Sequence, residues 1–74
     1  MEPFALTRID PRRNMARFYT VSIEPSLFSD VALVRRWGRI GTHGRQAIEL
    51  FASAAEAGRR QVRIETAKRR KGYC

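Results

Sequence analysis

The apolar pattern of this chain changes period once, and the change falls at Ser53. Before it, short runs rich in β-branched and aromatic residues alternate with turn-forming clusters, the pattern of β-strands. After it, nothing breaks a helix strongly until Gly72. Ser53-Ala54-Ala55-Glu56 has the form of a capping box. In such a box the serine accepts from a first-turn amide while the glutamate reaches back. The change of period therefore predicts strands first and one helix last.

The strand signals fall at 4–9, 15–24, 31–40 and 45–51. Asp10 to Asn14 form a turn, because Asp and Asn bond their own backbone and Pro11 presets φ. Pro25 interrupts the second strand, since proline cannot donate to a ladder. Gly41-Thr42-His43-Gly44 is a loop whose amides are free to join an anion site. The helix runs to about Lys71. Ala54, Gly58 and Val62 recur at fourfold spacing, with Ala55 beside them, and predict a small-residue face lying close on the sheet. Gly72 is a left-handed stop after which Tyr73 can fold back to pack. The fold class is α+β: one domain over residues 1–74, an antiparallel sheet of about four strands packed on one C-terminal helix.

With 74 residues there is no room for a second domain or a deep shielded cavity. No apolar run approaches the roughly 18 residues of a membrane span, and the N-terminus lacks the basic-then-apolar pattern of a secretory signal. A soluble, cytoplasmic, monomeric protein is expected, with no membrane partner. Cys74 is the only cysteine and is read as an incidental thiol, and one Cys with one His is too few for a structural zinc site. Neither metal nor other cofactor is expected. Paired carboxylates and a phosphate-cradling loop are also missing, and nothing is spaced to assist His43 in catalysis, so an enzyme is not expected.

The formal net charge of +8 is the positive clue, and thirteen of the fifteen basic residues are arginine. Positive charge suits anionic partners, and the arginine fork grips phosphate with two bonds. Strand alternation puts Arg35, Trp37 and Arg39 on one side of the third strand and Val34, Gly38 and Ile40 on the other, with Arg36 the misfit. If the apolar side meets the helix, the opposite side shows an Arg-Trp-Arg stripe. A tryptophan offers a flat face for a base or sugar, and flanking arginines offer bonds to phosphate. A tryptophan in so small a domain equally serves as its largest core residue.

Trp37-Gly38-Arg39-Ile40-Gly41, followed by Gly44, resembles the signature of the WGR domain family. Asn14-Met15-Ala16-Arg17-Phe18-Tyr19 is similar to that family's Asn-x-x-Lys-Phe-Tyr entry to its second strand. Phe51, the helix and the Gly72-Tyr73 ending also sit where the family has them. The resemblance implies a curved antiparallel sheet on one long helix, and a non-catalytic module that binds DNA near an end or nick. It implies that Trp37 stacks on a terminal sugar, that Arg39 bridges to nucleic acid or a neighbouring domain, and that Asn14 and Arg17 contact phosphate. It reads Gly38 and Gly41 as requirements of the turn and Phe18 and Ile40 as core. The full set of candidate contacts is Asn14, Arg17, Arg35, Trp37, Arg39, Arg45, Lys68 and Arg69. The expected partner is DNA, with RNA as the related polymer. The alternative is a partner protein, with the same face docking a DNA-processing enzyme as an adaptor. In the polymerases that carry this domain it signals to a catalytic domain; 74 residues are expected to hold none, so phosphate contact rather than relay is the expectation for Arg39.

Overall fold

A computed structural model describes residues 3–26 and 30–74. Its elements follow the expected order: β1 (Phe4–Asp10), a 3-10 turn (Pro11–Arg13), β2 (Met15–Pro25), β3 (Val31–Arg39), β4 (Arg45–Phe51) and α1 (Ala54–Arg70). The strands form one antiparallel sheet in the order β1-β2-β3-β4, so each strand pairs with its neighbour in sequence. Pro25 ends β2 opposite Val31, where its missing N–H does least harm. The Asp10 carboxylate accepts from Arg12 N–H at 3.1 Å and caps the 3-10 turn. Asn14 closes that turn in the left-handed region, φ 50°, which asparagine tolerates well.

Both ends of α1 are capped by local sequence. Ser53 Oγ accepts from Glu56 N–H at 3.2 Å. At the other end Gly72 takes φ +96°, Gly72 N–H reaches Arg69 O and Tyr73 N–H reaches Lys68 O. This bond pair is a Schellman stop. It turns Tyr73 back into the core, where it meets Tyr19 edge-on at 6.4 Å. The backbone of Cys74 then exchanges two bonds with Thr7, tying the chain end to the outer edge of β1.

The core is Leu6, Tyr19, Val21, Leu33, Ile64 and Tyr73, with Phe4, Ile23, Trp37 and Phe51 packed around it. Three expectations are corrected here. The helix packs on the side of β3 that carries Leu33, Arg35 and Trp37, not on the Val34 and Gly38 side. The Arg-Trp-Arg stripe therefore shares a face with the core. The register explains it: Leu33, Arg35 and Trp37 lie opposite Ile23, Val21 and Tyr19, and Tyr19 in turn opposite Leu6. In β2 the opposite face carries Thr20 and Ser22, which gain nothing from burial.

Second, α1 buries Ala57, Gly58, Gln61 and Ile64, while Ala54 and Ala55 are exposed and Val62 is 57% exposed. Ile64 decides the helix rotation, because its burial outweighs that of several alanine-sized groups. Ala57 and Gly58 supply the small surface that lets the helix lie close. Third, Phe18 and Ile40 are not core. Phe18 stands half-buried on the open face opposite Gly38, and Ile40 lies just past β3, 45% exposed.

Candidate functional site

The upper end of the sheet is shaped by one close backbone approach. A Cβ on Gly38 would stand 2.7 Å from the Gly44 Cα, and a Cβ on Gly44 would fall on the Trp37 carbonyl. Only glycine fits either position, so the need at Gly38 is for proximity within a strand rather than for a turn; Gly41, at φ +95°, is the turn glycine. The loop closes on itself. Thr42 donates to Arg39 O through both N–H (3.1 Å) and Oγ (2.8 Å), and Arg36 Nε donates to His43 O at 3.1 Å. Arg36 is thus a clamp on the loop from the open face. Residues Gly41 to Gly44 of the loop do not line the groove described next.

On the helix side of this end lies an open groove of about 440 Å³. Trp37 and Tyr19 form its floor, their rings 6.1 Å apart and nearly parallel at 21°. Trp37 is half-buried: one part of the ring packs on the core and the rest faces the groove. Both readings of this residue, core and surface, therefore apply at once. Arg13, Asn14, Arg17, Arg39 and Lys68 surround the rings, and no carboxylate lines the groove among the described residues.

Cross-strand register concentrates charge here. Arg8, Arg17 and Arg39 are direct partners across β1, β2 and β3. Directly opposed side chains have Cβ atoms roughly 5 Å apart, and like charges so placed destabilise the sheet. Among the described residues no carboxylate pairs with any of the three. A row of like charges without a carboxylate partner is a penalty on a small domain that a bound anion relieves.

Lys68 reaches over the aromatic floor, its Nζ 4.5 Å from the Tyr19 ring centre and 5.5 Å from that of Tyr73. Its pKa is lowered from the ordinary 10.5, first by desolvation and then by the positive charges of Lys71 and Arg35. The negative charge of a phosphate beside it would favour the ammonium and act against this shift.

Five of the expected contacts converge on the groove: Asn14, Arg17, Trp37, Arg39 and Lys68. Arg35, Arg45 and Arg69 do not line it. Arg35 Nε lies 2.9 Å from Glu49 Oε2, its guanidinium stands 5.5 Å from the Trp37 ring centre, and it donates to Tyr19 Oη at 3.4 Å. Glu49 is also held by Arg60 of α1, at 3.1 Å. Arg69 pairs with Glu65 one turn earlier, at 3.1 Å. Arg45 is exposed on β4, opposite Trp37 in register. Sequence reasoning missed Arg8, Arg13, Tyr19 and Tyr73. Alternation in β2 was a usable signal for Tyr19 and adjacency to Asn14 one for Arg13, whereas Arg8 becomes a neighbour of the site only through its pairing with Arg17. Among the described residues no group of three or more His, Cys, Asp or Glu side chains could hold a metal ion, and no helix is long and apolar enough to cross a membrane.

The uncharacterized protein y4dW of Sinorhizobium fredii is 46% identical over 74 residues, covering 97% of this chain and 36% of the relative. The chain thus spans about a third of the length of that relative. No solved structure matches the chain significantly. The family model of the WGR domain matches residues 2–74, nearly all of the sequence, and with a four-stranded antiparallel sheet closed by one helix the chain belongs to the WGR domain family.

Proposed function

We propose that this WGR domain binds nucleic acid, DNA at an end or nick in the first instance, through the groove at the upper end of the sheet. The observation that carries the reading is the uncompensated row Arg8–Arg17–Arg39 beside the half-open ring of Trp37. Arginine forks hold successive phosphates, and the tryptophan offers a flat surface to a terminal sugar or base. Asn14, fixed in a left-handed turn at the rim, offers both a donor and an acceptor. Lys68 adds a point charge from the helix side. The chemistry asked of the site is recognition. Among the described residues nothing in it positions a nucleophile, a base or a metal.

Trp37 is the only tryptophan, so its emission reports directly on the groove. Titration with a nicked hairpin duplex of about 6 base pairs bearing a 5′-phosphate should quench that emission. Engagement of four phosphates should give a slope of log affinity against log salt of about −4. An intact, end-blocked hairpin should bind more weakly. Absence of quenching by every duplex, nicked strand and RNA hairpin at low salt overturns the reading. If an acidic polypeptide quenches Trp37 where nucleic acid does not, the groove is an adaptor site for a partner protein.

A further inference from the structure

We propose that the outward face of α1 is a second nucleic-acid surface, which takes a stretch of phosphate backbone beyond the one in the groove. The inference rests on the nucleic-acid reading above but on different residues. Arg59, Arg63, Thr66 and Arg70 follow one another at spacings of four, three and four, and all are exposed. At 3.6 residues per turn they fall within about 60° of the helix circumference. Ala57, Gln61 and Ile64, which face the sheet, and Lys68, which reaches into the groove, lie on the opposite side. The stripe spans about 16 Å at 1.5 Å per residue.

The distribution of carboxylates separates this stripe from an ordinary solvated helix. Glu65 is taken by Arg69, and Glu49 by Arg35 and Arg60. Among the described residues none pairs with Arg59, Arg63 or Arg70. Arg59 and Arg63 are like charges one turn apart, an arrangement that weakens a helix unless something negative lies beside it. The one carboxylate near the row among the described residues, Glu56, stands a turn before Arg59 and forms no ion pair with either arginine. Three guanidinium forks and a hydroxyl in one row suit a rigid line of acceptors. The terminal cluster Lys68-Arg69-Arg70-Lys71 is accordingly divided: Lys68 serves the groove, Arg69 an internal pair, and Arg70 this stripe. A phosphodiester backbone is the occupant that complements the row, because its charges repeat along a line while those of a folded acidic protein do not.

The test compares two probes and three proteins. The short probe is the nicked hairpin above. The long probe carries the same nick in about 24 base pairs, roughly 80 Å at 3.4 Å per pair, longer than the 45 Å of the domain. Wild type should bind the long probe with a salt slope steeper by about three, near 0.9 for each arginine. Arg59→Gln with Arg63→Gln and Arg70→Gln should abolish that extra slope and leave the Trp37 response to the short probe unchanged. The corresponding triple lysine variant should retain most of it. Helix content by circular dichroism checks that each variant is folded. Equal slopes for wild type and the glutamine variant on the long probe overturn the proposal. A stripe-dependent affinity for polyglutamate, without the extra slope on DNA, overturns it in favour of an acidic protein partner. Stripe-dependent binding of the long probe with no Trp37 response to either probe supports this surface while refuting the groove.

Discussion

Arg35 and Arg39 lie four residues apart on the same strand and the same face of the sheet, yet their surroundings are opposite. Arg35 is held by Glu49, which β4 brings opposite Leu33 and α1 secures through Arg60. Arg39 faces Arg17, and behind it Arg8, with no carboxylate partner among the described residues. One cluster is bridged by a carboxylate and joins strand to helix. The other is left charged at the mouth of a groove. The position of a single carboxylate, rather than the number of arginines, separates the paired cation from the unpaired one, and on the proposed reading the structural from the binding. Trp37 stands between them, touching Arg35 on the core side and opening onto the groove beside Arg39.

Removing the shared residue should have the largest effect. Trp37→Ala should weaken nucleic-acid binding by about 1–3 kcal/mol, the value of a stacked ring. It should also lower the melting temperature, because Tyr19 loses its stacking partner. Anisotropy titration with a labelled probe and thermal melting read the two losses separately. Weaker binding with an unchanged melting temperature would place the ring wholly outside the core.

Opening the carboxylate-bridged cluster comes next. Arg35→Gln should destabilise by about 1 kcal/mol, between the values of exposed and buried pairs. That is roughly 4–8 °C for a domain of this size. Glu49→Gln should free both Arg35 and Arg60 and make the salt slope steeper, by up to about 0.9 for each arginine that finds a phosphate. A slope unchanged by Glu49→Gln would mean that geometry, not the carboxylate, keeps Arg35 from the ligand.

The charged cluster should respond in the reverse sense. Arg17→Gln relieves repulsion on both sides of β2 and should raise stability by about 0.2–1 kcal/mol at low salt, while weakening binding. Melting curves at two salt concentrations check this, since added salt screens the repulsion and should erase the gain.

The smallest effect concerns Lys68. Its folded pKa lies below the ordinary 10.5, so the native chain binds fewer protons than the unfolded one. Stability from this group therefore rises with pH between the lowered value and 10.5, and the rise should vanish in Lys68→Met. Binding should move the other way and weaken over the same range as the ammonium loses its proton. Melting and anisotropy titrations across that range measure both trends.

Much of the fold is legible locally. Strand boundaries, the Asp10–Asn14 turn, the Ser53 cap and the Gly72 stop follow from residue types within a few positions, and the structure places them within one or two residues of expectation. The resemblance to WGR domains points to Asn14, Arg17, Trp37 and Arg39, which the fold gathers at one groove. What could not be read from segments is what register decides. In β3 alone both faces carry apolar groups, so its alternation does not say which side meets the helix. Only pairing with Tyr19 and Val21 settles it. The helix face is misleading for a related reason: small residues recur at Ala54, Gly58 and Val62, but the single large aliphatic that needs burial, Ile64, belongs to another row. Arg35 and Arg39 cannot be told apart by period or type, because Glu49 reaches one of them from a different strand.

The most direct test of the division between the two clusters is the salt dependence of binding to the short nicked hairpin. It should be measured for wild type, Arg35→Gln and the double variant Arg17→Gln with Arg39→Gln. The slope should be about −4 for wild type and unchanged for Arg35→Gln, and shallower by nearly two for the double variant, about 0.9 for each phosphate no longer neutralised. An equal reduction of slope from Arg35 and from the Arg17–Arg39 pair would contradict the division and make the charge of this domain a diffuse field rather than a site.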